Sequence, residues 1–210
     1  MKQLISQSLA DQVYELVKRE ILKGNIKGGE KIREDNLATQ FGVSRTPIRE
    51  ALTRLAEYGL ITIIPRSHAA VVQISDKAAA DIASLRVELE MYAIRKITQE
   101  GFSSVLNQIS RYAADCQYAL SVGERGRAFE LDSLFHVCLM SATGNDALID
   151  VYNRLDGKIQ LLRIEQNLDD DQLSEYMSQH TQIIQYIKSG NTEAACELIA
   201  EHILHSHING

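Results

Sequence analysis

The chain has 210 residues, 45% of them hydrophobic and 24% charged; this is a globular composition and excludes disorder as the main state. The length admits one large or two small domains with a sizeable core, and the net charge of −6, taken whole, argues against nucleic acid as a partner. The average hides a split. Residues 1–72 carry 11 basic and 8 acidic side chains, while the other 138 carry 11 and 20. A head at +3 on a body at −9 is the asymmetry of a nucleic-acid-binding segment joined to an acidic domain. The opening MKQLISQSLA has no apolar signal core, no apolar run approaches 18 residues, and the three cysteines lack metal or disulfide spacing. A cytoplasmic protein with buried free thiols at Cys116, Cys138 and Cys196 is expected.

In chain order, Leu9, Val13, Leu16, Val17 and Ile21 fall at helical spacing and predict a helix over 9–22, stopped by Gly24-Asn25. A short helix over 34–41 ends at Gly42. Ser44 opens a third, which runs to Tyr58 before Gly59. Two helices across a short glycine-containing turn read as helix-turn-helix. The β-branched runs 60–64 and 70–73, separated by Pro65-Arg66-Ser67-His68-Ala69, predict a hairpin wing. From Ser75 the period is helical throughout, with helices over 76–99, 103–121, 124–142, 146–167, 170–189 and 191–207. The expected fold is mainly α: a winged helix-turn-helix over 1–74, then an all-α bundle of about six helices over 75–210.

The third helix carries the chemistry of the head. Ile48, Ala51, Leu52 and Leu55 line one face; Arg45, Thr46, Arg49 and Thr53 project from the other. Arg45 and Arg49, four apart, stand together near the helix start, where a recognition helix meets base edges. Ser44 is an N-cap residue, and Ser44 and Thr46 suit phosphate contacts. The plain alternative is a small interaction domain with a solvated arginine face. The string GGEKIREDNLATQFGVSRTPIREALTRLAEYGLI, residues 28–61, closely resembles the winged helix-turn-helix of the GntR family of bacterial transcription regulators. The resemblance implies that Arg45 and Arg49 read DNA with support from Ser44 and Thr46. It also implies that the wing, through Arg66 and His68, enters the adjacent minor groove. The family wing carries glycine where this chain has His68, so a reshaped or strained wing tip is expected there.

In the body, the segment 129–140 is apolar on nearly every side, as suits a central helix. Asp132 and His136 share one of its faces. His180 lies ten residues before the Ser189-Gly190 turn and His202 twelve after Gly190, at nearly equal heights in a helical hairpin. The four side chains can therefore converge from three helices. Buried ionisable groups must pair or bind metal. Three imidazoles and a carboxylate suit Zn²⁺, with Ni²⁺ or Mn²⁺ open. Asp132–His136 as a simple hydrogen-bonded pair is the plain alternative, and His205 and His207 compete with His202.

The body resembles the helical effector domain of the FadR subfamily, the FCD domain, through Asp132-Ser133-Leu134-Phe135-His136, His180, His202 and the segment 81–90. Six helices point to its VanR-like branch. The resemblance implies an organic-acid or sugar-acid effector. Arg86 is a candidate for its carboxylate, with a surface or inter-helix ion pair to Glu90 as the alternative; Arg163 is a lesser candidate. Tyr92 and Tyr152 read as core. The function so implied is a ligand-responsive transcription regulator, a repressor in type, that binds a pseudo-palindromic double-stranded operator as a homodimer and has no membrane partner. Two alternatives stand beside it: a regulator whose effector is the metal itself, and a helical metal-dependent hydrolase, for which no general-base motif is present.

Overall fold

The structure, a computed structural model, describes residues 8–101, 103–165 and 168–208. The chain divides into two compact units between Ile74 and Ser75.

The first unit comprises α1 (Leu9–Leu22), β1 (Lys31–Ile32), α2 (Glu34–Phe41), α3 (Arg45–Glu57), β2 (Ile61–Ile64) and β3 (His68–Val71). A capping box starts α1: the Ser8 hydroxyl accepts from the Asp11 N–H, and the Asp11 carboxylate accepts from the Ser8 N–H. The helix then packs on α3, and Val13, Val17 and Ile21 are buried, as are Ile48, Ala51, Leu52 and Leu55 of α3. Gly42, left-handed at φ 65°, ends α2 and turns the chain into α3. The sheet is antiparallel in the order β1-β3-β2, with Lys31 opposite Ala70, Ile61 opposite Val71 and Ile64 opposite His68.

Two expectations for the head are corrected. The second wing strand spans 68–71 rather than 70–73, and β1 was not anticipated; two residues carry no readable period. The strained position at the wing tip is Arg66, at φ 61°, and not His68. The Ser67 N–H donates to the Ile64 carbonyl at 3.1 Å, closing a turn with Pro65 second and Arg66 third. Proline in second place and a positive φ in third define a type II turn, which favours glycine at the site Arg66 occupies. His68 is thereby left in regular strand pairing.

The second unit is six helices among the described residues: α4 (Asp76–Glu100), α5 (Ser103–Ser121), α6 (Arg125–Ser141), α7 (Asp146–Glu165), α8 (Asp170–Ser189) and α9 (Thr192–Ile208). Ser75 caps α4, and an Asp169–Gln172 capping box starts α8. The central helix, α6, packs against α5, α7 and α4; α9 lies along α4 and α8. Cys116, Ala119, Ala128, Leu131, Leu173 and Met177 form one apolar cluster beneath the site described below. Cys116 and Cys196 are buried free thiols, whereas Cys138 is only half-buried. Tyr152 is core, as expected. Tyr92 is 41% exposed, because its position on α4 falls on the solvent side. Among the described residues no helix is long and apolar enough to cross a membrane.

Candidate functional site

Asp132 and His136 on α6, His180 on α8 and His202 on α9 are all completely buried. One donor atom from each lies within 4.8 Å of all the others. His180 Nε2 is 3.1 Å from Asp132 Oδ1 and 3.2 Å from His202 Nε2. The paired heights expected on either side of the Gly190 turn are realised in that second distance. His136 Nε2 stands 3.5 Å from Asp132 Oδ1, too long for a good hydrogen bond. The simple i,i+4 pair is therefore not what these residues form. The side chains of His205 and His207 lie outside the described residues.

Three further contacts orient the donor groups, two on imidazoles and one on the acid. His136 Nδ1 is 2.7 Å from Glu90 Oε2, and a carboxylate can only accept. A ring hydrogen is thus on Nδ1, and Nε2 is the nitrogen that faces Asp132 and His180. His202 Nδ1 is 3.0 Å from Gln179 Oε1, with the same consequence at its Nε2. The third contact is on the acid: Arg163 Nη2 sits 2.6 Å from Asp132 Oδ2, which leaves Oδ1 as the oxygen facing the histidines. Ring stacking holds the planes, Phe135 on His180 at 4.0 Å and Tyr176 on His202 at 3.9 Å between centroids.

The electrostatics agree with this donor arrangement. Burial alone would raise the Asp132 carboxyl, but Arg163 and His136 outweigh it and hold the group well below the usual carboxylate range. Burial likewise opposes ionisation of Glu90, yet His136 and Arg86 bring it down to about 2. Burial pushes His180 down to about 4 despite its bond to Asp132. Burial, reinforced by His180 and His136, drives His202 well below its ordinary value. At neutral pH the carboxylates are charged and these two imidazoles are neutral, the protonation states a divalent cation requires. Oriented lone pairs, correct charge and second-sphere acceptors on two of three imidazoles fit a metal.

Beside this cluster lies a second buried layer. Arg86 on α4 is fully buried; its Nε donates to Glu90 Oε1 at 2.7 Å and lies 3.3 Å from the Tyr152 hydroxyl. The Tyr152 hydroxyl donates to the same Glu90 oxygen at 2.7 Å. The ion pair with Glu90 thus exists, but in the interior and not on the surface. Arg86 Nη1 and Nη2, and Arg163 Nε and Nη1, are buried without a hydrogen-bond partner among the described residues. Glu90 is the residue that sequence reasoning undervalued: it appeared only as an i+4 partner, while its second oxygen holds His136. Gln179 gave no signal beyond its place next to His180.

In the head, Ser44 occupies the N-cap of α3 without a side-chain capping bond. Arg45, Thr46 and Arg49 are exposed on the face opposite Ile48 and Leu52. Arg66 is exposed at the wing tip, and His68 is half-buried with its Nδ1 2.7 Å from the Ser67 hydroxyl.

A winged helix-turn-helix ahead of a helical bundle with a buried His₃Asp cluster defines a class of regulator, and comparison with known proteins agrees. Residues 9–71 match the bacterial regulatory proteins of the gntR family, and residues 81–205 match the FCD domain. The chain belongs to the GntR family of transcription regulators, in its FCD-containing, FadR-type group. It is 29% identical over 195 residues to the HTH-type transcriptional regulator YdhC of Bacillus subtilis, covering 92% of this chain and 87% of that one. It is 26% identical to a probable D-xylose utilization operon transcriptional repressor of Paenarthrobacter nicotinovorans, covering 99% and 88%. Among solved structures, Escherichia coli McbR/YncC superposes with a TM-score of 0.79 at 22% identity over 95% of both chains, a likeness of fold. These are regulators of transcription, and the hydrolase alternative falls.

Proposed function

We propose that the chain is a metal-loaded, effector-responsive repressor that binds its operator as a homodimer in the cytoplasm. The observation that carries the metal is the convergence of three imidazoles and one carboxylate, with Glu90 and Gln179 fixing two of the tautomers. Asp132, His136, His180 and His202 would hold the ion, Zn²⁺ before Ni²⁺ or Mn²⁺. A divalent cation there supplies a Lewis-acid centre with open positions for an oxygen ligand.

The unpartnered guanidinium donors favour an anionic effector over the ion alone. Buried N–H groups of Arg86 and Arg163 without partners are costly. A small carboxylate or sugar acid would satisfy them, with Arg86 as its fork-shaped partner. The probable D-xylose operon repressor among the relatives supports both repression and a sugar-derived signal.

Arg45 and Arg49, with Ser44 and Thr46, would read the major groove, and Arg66 and His68 the minor groove. Two symmetric heads match a pseudo-palindrome. An electrophoretic shift series on the protein's own upstream region tests this reading. A specific band that Arg49→Ala weakens about tenfold or more is expected from the loss of one bidentate base contact. An unchanged band for that variant, or none for wild type, overturns it.

A further inference from the structure

Arg45 and Arg49 are not bare. Arg45 Nε lies 2.7 Å from Asp35 Oδ1, and Arg49 Nε donates to Glu34 Oε2 at 2.7 Å. Glu34 and Asp35 are the first two residues of α2, the helix that packs against α3. Each acid thus reaches across the helix-turn-helix to one arginine of the exposed face. Negative charge at a helix start is favourable for the helix itself, but that role asks nothing of Arg45 or Arg49. Neither does phosphate binding, since two carboxylates beside the arginines repel a polyanion of any sequence.

The geometry points to Glu34 and Asp35 as positioning residues that set sequence specificity. A guanidinium has five N–H groups in a rigid fork. The contacts to the acids are made through Nε, which leaves the two Nη groups for an end-on bidentate contact with guanine. One arginine can therefore hold its carboxylate and a guanine together. Tethering at Nε removes rotamer freedom from a long side chain before DNA arrives, so less is lost on contact. The carboxylates also repel phosphate on every sequence alike, so it is the tether that widens the gap between the right sequence and any other. The inference rests on the reading of Arg45 and Arg49 as DNA-reading residues.

The test uses the full-length protein and two duplexes: one selected by wild type from a random-sequence pool, and one scrambled version of the same composition. The variants are Glu34→Gln, Asp35→Asn and the pair. Both sites are at the surface, and the melting temperature of each variant serves as the folding control. The double variant should bind the selected duplex about tenfold more weakly while binding the scrambled one as well as wild type or better. Renewed selection should return a relaxed consensus. Equal tightening on both duplexes would mean that the acids act only by repelling phosphate, and would overturn the inference. So would unchanged binding on both. If wild type selects no sequence, or if Arg49→Ala keeps full selectivity, the DNA-reading assignment itself fails and the inference falls with it. If wild type selects, Arg49→Ala loses selectivity and the acid variants keep it, only the inference fails.

Discussion

Residue by residue, the body core is a set of ionisable groups that hold one another in the ionised or neutral form that metal binding needs. Gln179 is the mildest place to test this, being half-buried and bonded to His202 through a single acceptor. Gln179→Ala should weaken metal affinity by about tenfold, the lower end of second-sphere effects, in competition with a chromogenic chelator. The melting temperature of the metal-stripped protein should barely change. The same cluster predicts acid sensitivity. His180 falls from an ordinary 6.5 to about 4, and Glu90 from 4.5 to about 2. In both, the unfolded chain binds the proton more readily than the folded one, so stability rises with pH across the window. The His180 contribution is complete above pH 6.5 and is lost as pH falls toward 4; that of Glu90 is lost between 4.5 and 2. Thermal melts of chelator-treated protein should therefore show a falling midpoint from pH 7 to pH 4. In His180→Gln the decline above pH 4.5 should be visibly smaller.

Among the elements, the wing and α6 show what sequence can and cannot convey. Glycine at left-handed positions marks helix ends, so Gly42, Gly101 and Gly190 gave boundaries within a residue or two. The heptad-like faces of α1 and α3 were likewise legible, since period is a property of the string. The wing tip was not. A missing glycine signals strain, but the turn type decides where it falls, and pairing of Ile64 with His68 moves it to Arg66. Arg66→Gly removes a left-handed non-glycine residue worth roughly 1–2 kcal/mol, partly offset by the greater freedom of glycine in the unfolded chain. Its melting temperature should equal or exceed that of wild type, while DNA affinity falls and the salt slope shrinks by about one unit. Reduced stability would place the strain elsewhere. Within α6, Asp132 and His136 were readable as one face. The reach of Glu90 from α4 was not, because inter-helix distance is not written in spacing along one helix.

For the whole molecule, the split of charge between head and body sets the terms of DNA binding. A +3 head supplies little phosphate attraction, so selectivity falls to a few placed arginines and to pairing of two heads. The body, at −9, adds no net attraction for phosphate, and its buried site is where a signal would enter. Metal is central to that account, and one measurement tests it most directly: metal content by inductively coupled plasma mass spectrometry on desalted full-length protein, wild type beside His136→Ala and His202→Ala. Wild type should carry about one divalent ion per chain, and both variants should lose most of it. A wild type that retains no divalent ion after equilibration with Zn²⁺, Ni²⁺ or Mn²⁺, or variants that retain as much as wild type, would contradict it.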